Sequence, residues 1–327
     1  MINLEANLIN LFMTGDEFSV NDSDHEYKDT TIISCNGYTF KFKQHDINLK
    51  PINFCNQTLI TTTVSINNVP KEKVEEVLET IDNICWLLSF AQQCPIQRCN
   101  YKIKNLKIES INCSASLINP PKYIIENRGK YIKLFIEQVY EKFIKIKDTR
   151  LLTTVFGYLC EANKHHLALE PKLILHYVLI ENLKYTFAKE QGYKQKSSFF
   201  YHPKYPNLNH LCPDKTEYCF DEKIGLWVHK KYGKCGSAEM IKRMFESTSI
   251  QRTKINPILK NRNKIIHEGI LLAFSDPTYT QTAIEDLHNV SDLLRQYIFT
   301  LLGYKGPYFR SRDSGFSSVC SIYYLTK

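Results

Sequence analysis

The sequence predicts an α+β fold: a mostly β N-terminal domain followed by an all-α helical bundle that carries an insertion. Three observations predict it. From residue 31 to about 66 the chain reads as strands, with aromatic and polar residues alternating in YTFKFKQ. After Arg128 the apolar spacing turns helical and largely stays so. A Tyr-, Lys-, Pro- and Cys-rich stretch, 193–236, then interrupts the helices. The expected domains are 1–122, a small α+β unit, and 123–327, the helical domain with its insertion.

In chain order, the strand signals are TIIS from Thr31, YTFKFKQ from Tyr38 and LITTTVSI from Leu59, rich in β-branched and aromatic residues. Asn36-Gly37 supplies the turn between the first two. Pro70 opens a helix whose Val74, Val77, Leu78, Ile81, Ile84 and Leu88 form one stripe. The segments NYKIKNLKIES and INCSASL complete the unit, and Pro120-Pro121 marks its boundary.

Helices are then predicted at 129–148, 151–163, 171–191, 237–247, 257–274 and 280–303, the last with bundle spacing at 284, 287, 290, 294, 298 and 301. Asn256-Pro257 reads as a cap and first-turn pair.

Length and composition bound the function classes. The chain has 327 residues, 43% of them hydrophobic, and a mean hydropathy of −0.31, enough for one large core or two ordinary ones. The opening MINLEANLINLFMTGDEF lacks a basic leader, and no run of apolar residues is long enough to span a bilayer. A soluble cytoplasmic protein with no membrane partner is expected. Eleven cysteines are scattered and odd in number, so most are read as reduced. No glycine-rich phosphate loop is present, which counts against nucleotidyl or phosphoryl transfer by a chain holding its own ATP.

Charge is unevenly placed. Residues 1–128 hold 12 basic and 15 acidic side chains, whereas 129–327 hold 30 and 19. A basic field of this kind raises the local concentration of polyanions; solvated lysine faces are the simpler alternative. The window 184–262 alone carries 16 basic against 7 acidic residues. Its interleaved aromatics and lysines suit unpaired bases and phosphates, while Phe199, Phe200 and Trp227 equally suit docking of the insertion on the bundle.

The segment that carries chemistry is Arg262-Asn263-Lys264-Ile265-Ile266-His267. Asn263 and His267 are one turn apart and share a helix face, while Arg262 lies about 140° from His267 around the axis. His267 can transfer a proton near neutral pH without a metal. Arg262 can bind a scissile phosphate and stabilise its nonbridging oxygens, and Asn263 can orient the imidazole or hold another oxygen. On RNA the 2′-hydroxyl is then the nucleophile, and the products are a 2′,3′-cyclic phosphate and a 5′-hydroxyl. No cofactor and no metal ion is needed. A surface ion pair and a packing histidine are the plainer roles for the same residues.

An arginine, a polar neighbour and a histidine on the penultimate long helix resemble the signature of the HEPN superfamily. The resemblance is closest to the Apea-like HEPN proteins of prokaryotic antiphage defence, in which a mostly β domain precedes the bundle. VLETIDNICWLLSFAQQCPI and LLRQYIFTLLGYKGPYF are further parallels. The resemblance implies a homodimer whose two Arg…His motifs meet in a composite cleft. It implies a metal-independent endoribonuclease acting on tRNA, mRNA or other single-stranded RNA as a toxin or abortive-infection effector. Some members are instead noncatalytic binding or scaffolding proteins. For the N-terminal domain it leaves sensing of a phage-derived trigger or positioning of substrate.

Other candidates are weaker. His202, His210, Cys212, Cys219, His229 and Cys235 offer zinc ligands, but at irregular intervals and without a Cys-x-x-Cys pair. Cys94 and Cys99 have no base beside them in the sequence. His165-His166 suits the end of a helix, and Glu161, Glu170, His176 or Glu181 is a candidate to line the cleft near Arg262.

Overall fold

The computed structural model describes residues 1–20, 26–45, 60–103, 106–110, 121–164, 166–209, 215–222, 225–268, 277–311 and 322–323. The chain packs into two compact units. One comprises Met1–Asp148, Leu152–His176 and Leu272–Lys327; the other comprises Thr149–Leu151 and Tyr177–Leu271. A β-sheet region is followed by a helix-rich region, so the protein is α+β.

The first unit is built on a seven-stranded sheet. Its strands are β1 (Ile2–Ile9), β2 (Glu17–Val20), β3 (Glu26–Cys35), β4 (Tyr38–Gln44), β5 (Ile60–Val69), β6 (Gln97–Ile103) and β7 (Leu106–Ser110). They are ordered β2-β3-β4-β5-β1-β6-β7, and every neighbouring pair is antiparallel.

Alternation decides which face is buried. Phe40 and Phe42 of β4 point inward while Lys41 and Lys43 point out, and Leu4, Ala6 and Leu8 of β1 do the same beside Val64 and Ile66. The β3–β4 hairpin turns on Asn36 and Gly37 with φ of 51° and 75°, the left-handed pair of a two-residue hairpin.

Helix α1 (Val74–Gln92) buries the whole expected stripe from Val74 to Leu88. It packs against β6, α2 (Gly129–Ile146) and α3 (Leu152–Ala162), and α2 lies on β3. Aromatic rings join these helices to α7 (Pro277–Leu302): Phe90 stacks on Phe156 at 4.8 Å and meets Phe299 at 5.2 Å, and Phe135 meets Tyr304 at 5.2 Å. Arg295 of α7 is almost fully buried and donates to the Phe309 carbonyl and to Gln93 Oε1, both at 3.1 Å.

Helix α4 (Leu169–Glu190) begins in the first unit and continues in the second. The second unit then contains β8 (Lys194–Lys196), β9 (Phe199–Tyr201), β10 (Tyr218–Asp221), β11 (Leu226–His229), β12 (Cys235–Gly236), α5 (Ser237–Glu246) and α6 (Arg252–Glu268). Strands β12, β9 and β8 form one small sheet, and β10 pairs with β11.

The helix-rich part is therefore not all helical. Besides the strands of the insertion, β13 (Tyr308–Phe309) pairs with β14 (Ile322–Tyr323). Helix α6 also starts earlier than Asn256-Pro257 implies: it opens at Arg252 and carries Pro257 inside. Pro257 is the sixth residue of the helix, so its missing N–H leaves the carbonyl of Thr253 without its usual donor one turn on. Residues 269–274 of the expected helix, the segment INCSASL and Pro120 lie outside the described residues.

Among the described residues, no helix is long and apolar enough to cross a membrane.

Candidate functional site

Arg262 sits on α6 and is 6% exposed. Its Nη2 lies 2.7 Å from Glu181 Oε1 on α4. The same carboxylate takes the ammonium of Lys184, one turn further along α4. Lys184 also donates to Ser237 Oγ, at the start of α5, at 2.7 Å and lies 5.3 Å from the centre of the Phe200 ring. Two cations from two helices thus share one carboxylate in a largely buried setting.

Asn263 and His267 follow on the same helix, but their side chains lie outside the described residues. The structure therefore brings Arg262 together with Glu181, one of the acids expected near it. Lys184 and Ser237 complete the cluster without having been singled out; a lysine three residues after a glutamate on a helix was the available signal.

His176 is in a different setting. It lies in the first unit, 5% exposed, with Nδ1 2.7 Å from the Lys172 carbonyl and Nε2 2.9 Å from Ser291 Oγ. A carbonyl only accepts, so Nδ1 carries the proton, and the serine hydroxyl donates to Nε2. Burial pushes its pKa down to about 4, with the Lys172 carbonyl opposing and Arg295, Lys122 and Lys172 adding to the depression. This is a neutral structural histidine with both nitrogens engaged. Glu161 pairs with Lys164 at 2.6 Å on the surface of α3, and His166 is exposed. His165 lies outside the described residues.

Of the zinc candidates, His210 and Cys212 lie outside the described residues. Among the described residues, no three His, Cys, Asp or Glu side chains are placed to hold a metal ion. Cys94 is buried and its thiol donates to the Asn10 carbonyl at 3.5 Å; burial raises its pKa well above the usual thiol value. Nothing there resembles an activated nucleophile.

Next to the arginine cluster, still in the second unit, is an open groove of about 580 Å³. Tyr185, Lys189, Tyr193, Lys194, Gln195 and Tyr201 line it, and among the described residues no acidic side chain does. Tyr185 is half exposed, while Tyr193 is buried and fixed by two polar contacts: its hydroxyl donates to the Lys231 carbonyl at 3.0 Å and accepts from Arg243 Nη1 at 2.8 Å. Glu181, Tyr185 and Lys189 are spaced at i, i+4 and i+8 on α4, so one face of the helix carries both the partner of Arg262 and the groove wall.

Compared with protein-family models, with curated proteins and with solved structures, the chain matches none.

Proposed function

We propose that this chain is a HEPN-type, metal-independent endoribonuclease that acts as a homodimer in antiphage defence. In this reading the helix-rich part is a HEPN-type bundle carrying the 193–236 insertion. Its N-terminal domain senses a phage-derived trigger or positions the RNA. The observation that carries the reading is the shared face of α4: Glu181 holds the motif arginine, and Tyr185 and Lys189 line a groove of tyrosines and lysines within two further turns. Four residues of helix rise about 6 Å, close to one nucleotide step of an extended strand. A base against tyrosine and a phosphate against lysine lead such a strand toward the motif.

Within that site His267 takes the proton of the 2′-hydroxyl as it attacks the adjacent phosphorus. The 5′-oxygen leaves and is protonated, the second imidazole of the dimer being suited to that step. In this reading the guanidinium of Arg262 stabilises the charge on the nonbridging oxygens of the scissile phosphate. Asn263 orients the imidazole or holds a further oxygen.

One observation favours a second reading, a noncatalytic nucleic-acid-binding or scaffold protein. Arg262 is nearly sealed and already ion-paired, as a structural arginine would be. The experiment that separates the two is RNA cleavage by the purified protein in excess EDTA. The nuclease reading expects products ending in 2′,3′-cyclic phosphate. It also expects His267→Ala to abolish them while leaving the melting temperature and the dimer, measured by light scattering, unchanged. Undiminished cleavage by His267→Ala would reject the assignment. RNA retention without turnover, with both Arg262→Ala and His267→Ala merely less stable, would establish the second reading.

A further inference from the structure

The insertion contains an internal repeat. His202-Pro203-Lys204-Tyr205 follows β9, and His229-Lys230-Lys231-Tyr232-Gly233 closes β11. Both are His-x-Lys-Tyr turns, and their backbones treat the histidine alike. The amide of Lys204 donates to His202 Nδ1 at 3.2 Å. The amides of Lys231 and Tyr232 donate to His229 Nδ1 at 3.1 and 3.0 Å.

The two turns face each other. The His229 ring lies 4.4 Å from Tyr205, and the His202 ring lies 5.1 Å from Tyr232. Tyr205 and Tyr232 stack at 4.6 Å with 12° between their planes. Tyr193 packs edge-on against His202 at 5.4 Å.

Two facing X-x-x-X turns on neighbouring hairpins, with the first side chain of each accepting the amides that follow, are the arrangement in which paired Cys-x-x-Cys turns hold a tetrahedral zinc ion. Here the four positions are His, Tyr, His and Tyr. Both Nδ1 atoms accept backbone N–H groups, so each neutral ring carries its proton on Nε2 and has no lone pair left for a metal, and parallel stacked phenols do not converge their oxygens on one point at the roughly 2 Å a metal requires. The rings fill the space themselves.

We propose that His202, Tyr205, His229 and Tyr232 form a metal-free clasp in the geometry of a paired-turn zinc site, and that it holds the insertion closed only while both imidazoles are neutral. Protonation at Nδ1 converts an acceptor into a donor that opposes the amide donors of its own turn. The surroundings add to the cost. Lys204, Lys230 and Lys231 are on the turns themselves, and Arg243 of α5, paired with Glu239 at 3.6 Å, donates to the Gly233 carbonyl at 3.0 Å. Tyr218 of β10 packs on His229 at 5.1 Å. Glu217, just before β10, is the acid that favours the charge. Burial nevertheless pushes the His229 pKa below its ordinary value, with His202, Arg243 and Lys231 adding to the depression.

The test uses the full chain. Elemental analysis of the purified protein is expected to find no stoichiometric zinc, and EDTA to leave protease cleavage within 193–236 unchanged. Cleavage there is expected to rise at least tenfold between about pH 7.5 and about pH 5, across the histidine range. The His202→Asn/His229→Asn double variant keeps a side-chain acceptor without a titratable proton and should lose that dependence. The H202C/Y205C/H229C/Y232C variant is expected to bind one cobalt ion with the spectrum of tetrahedral thiolate. One zinc per chain whose removal opens the insertion would overturn the metal-free clasp. So would equal protease resistance of the natural chain at both pH values, or a natively folded four-cysteine chain that takes up no cobalt. The first two readouts need no variant, so misfolding of a variant leaves the proposal exposed to refutation.

Discussion

At the scale of single residues, burial sets what Arg262 and His176 contribute. Arg262→Ala removes one of two cations from a carboxylate that Lys184 still holds. Breaking a buried pair costs about 3 kcal/mol, the lower part of the usual range because Glu181 keeps some contact with water. The expected outcome is a lower denaturation midpoint for Arg262→Ala and a smaller loss for Arg262→Lys, which keeps the charge but not the fork. A midpoint unchanged by Arg262→Ala would show that the ion pair adds nothing to the fold. His176 makes a prediction about pH. Its folded pKa of about 4 lies below the ordinary value near 6.5. The unfolded chain therefore binds the proton more readily, and stability is lost as pH falls from about 6.5 toward about 4. The loss amounts to roughly 3 kcal/mol from this one group. His176→Gln should flatten that part of the curve of urea midpoint against pH; an identical slope in natural and variant protein would remove His176 from the account.

At the scale of elements, what was legible in the sequence is whatever a single period or turn decides. The α1 stripe and the Asn36-Gly37 hairpin are of this kind: each depends on neighbours in sequence, and each is found where its pattern stands. Strand β1 carries the same signal, alternating Ile2, Leu4, Ala6 and Leu8, yet its polar face gives it the look of a loop. That face is satisfied only across the sheet, where Asn7 donates to Asn100 Oδ1 at 2.7 Å and Glu5 pairs with Lys102 at 2.6 Å. The start of α6 is hidden for the opposite reason, because a local rule about Asn-Pro competes with packing of Ile255, which is fully buried. The groove beside α4 is partly legible: its tyrosines and lysines stand out in composition, but only the β8–β9 hairpin brings Tyr193, Lys194 and Tyr201 against Tyr185 and Lys189. If RNA lies in that groove, Tyr185→Ala should weaken binding of a short single strand by about 1–3 kcal/mol, the contribution of one stacked base, without altering the melting temperature of an exposed position. Binding that is indifferent to Tyr185 in a filter or fluorescence titration would move the RNA elsewhere.

At the scale of the whole molecule, the uneven charge makes a prediction that does not depend on catalysis. Residues 129–327 hold an excess of 11 basic side chains, while the segment before them is slightly acidic. A long-range field of this sign accelerates encounter with a polyanion, but affinity comes from the phosphates actually neutralised, each of which releases condensed counterions. For a single strand the logarithm of the binding constant then falls with the logarithm of salt concentration by about 0.7 per contact. Removing Lys189 and Lys194 together should reduce that slope by about 1.4, and the reduction should be the same for RNAs of different sequence, because phosphate contacts carry no base information. A general loss of field, tested by charge reversal of two exposed lysines such as Lys142 and Lys145 on α2, should slow association while leaving the slope nearly unchanged. The two effects separate a groove that holds the strand from a surface that merely attracts it. If Lys142 and Lys145 change the salt slope as much as Lys189 and Lys194 do, the groove is no more than part of a basic surface, and the path from α4 to the Arg262 motif loses its physical basis.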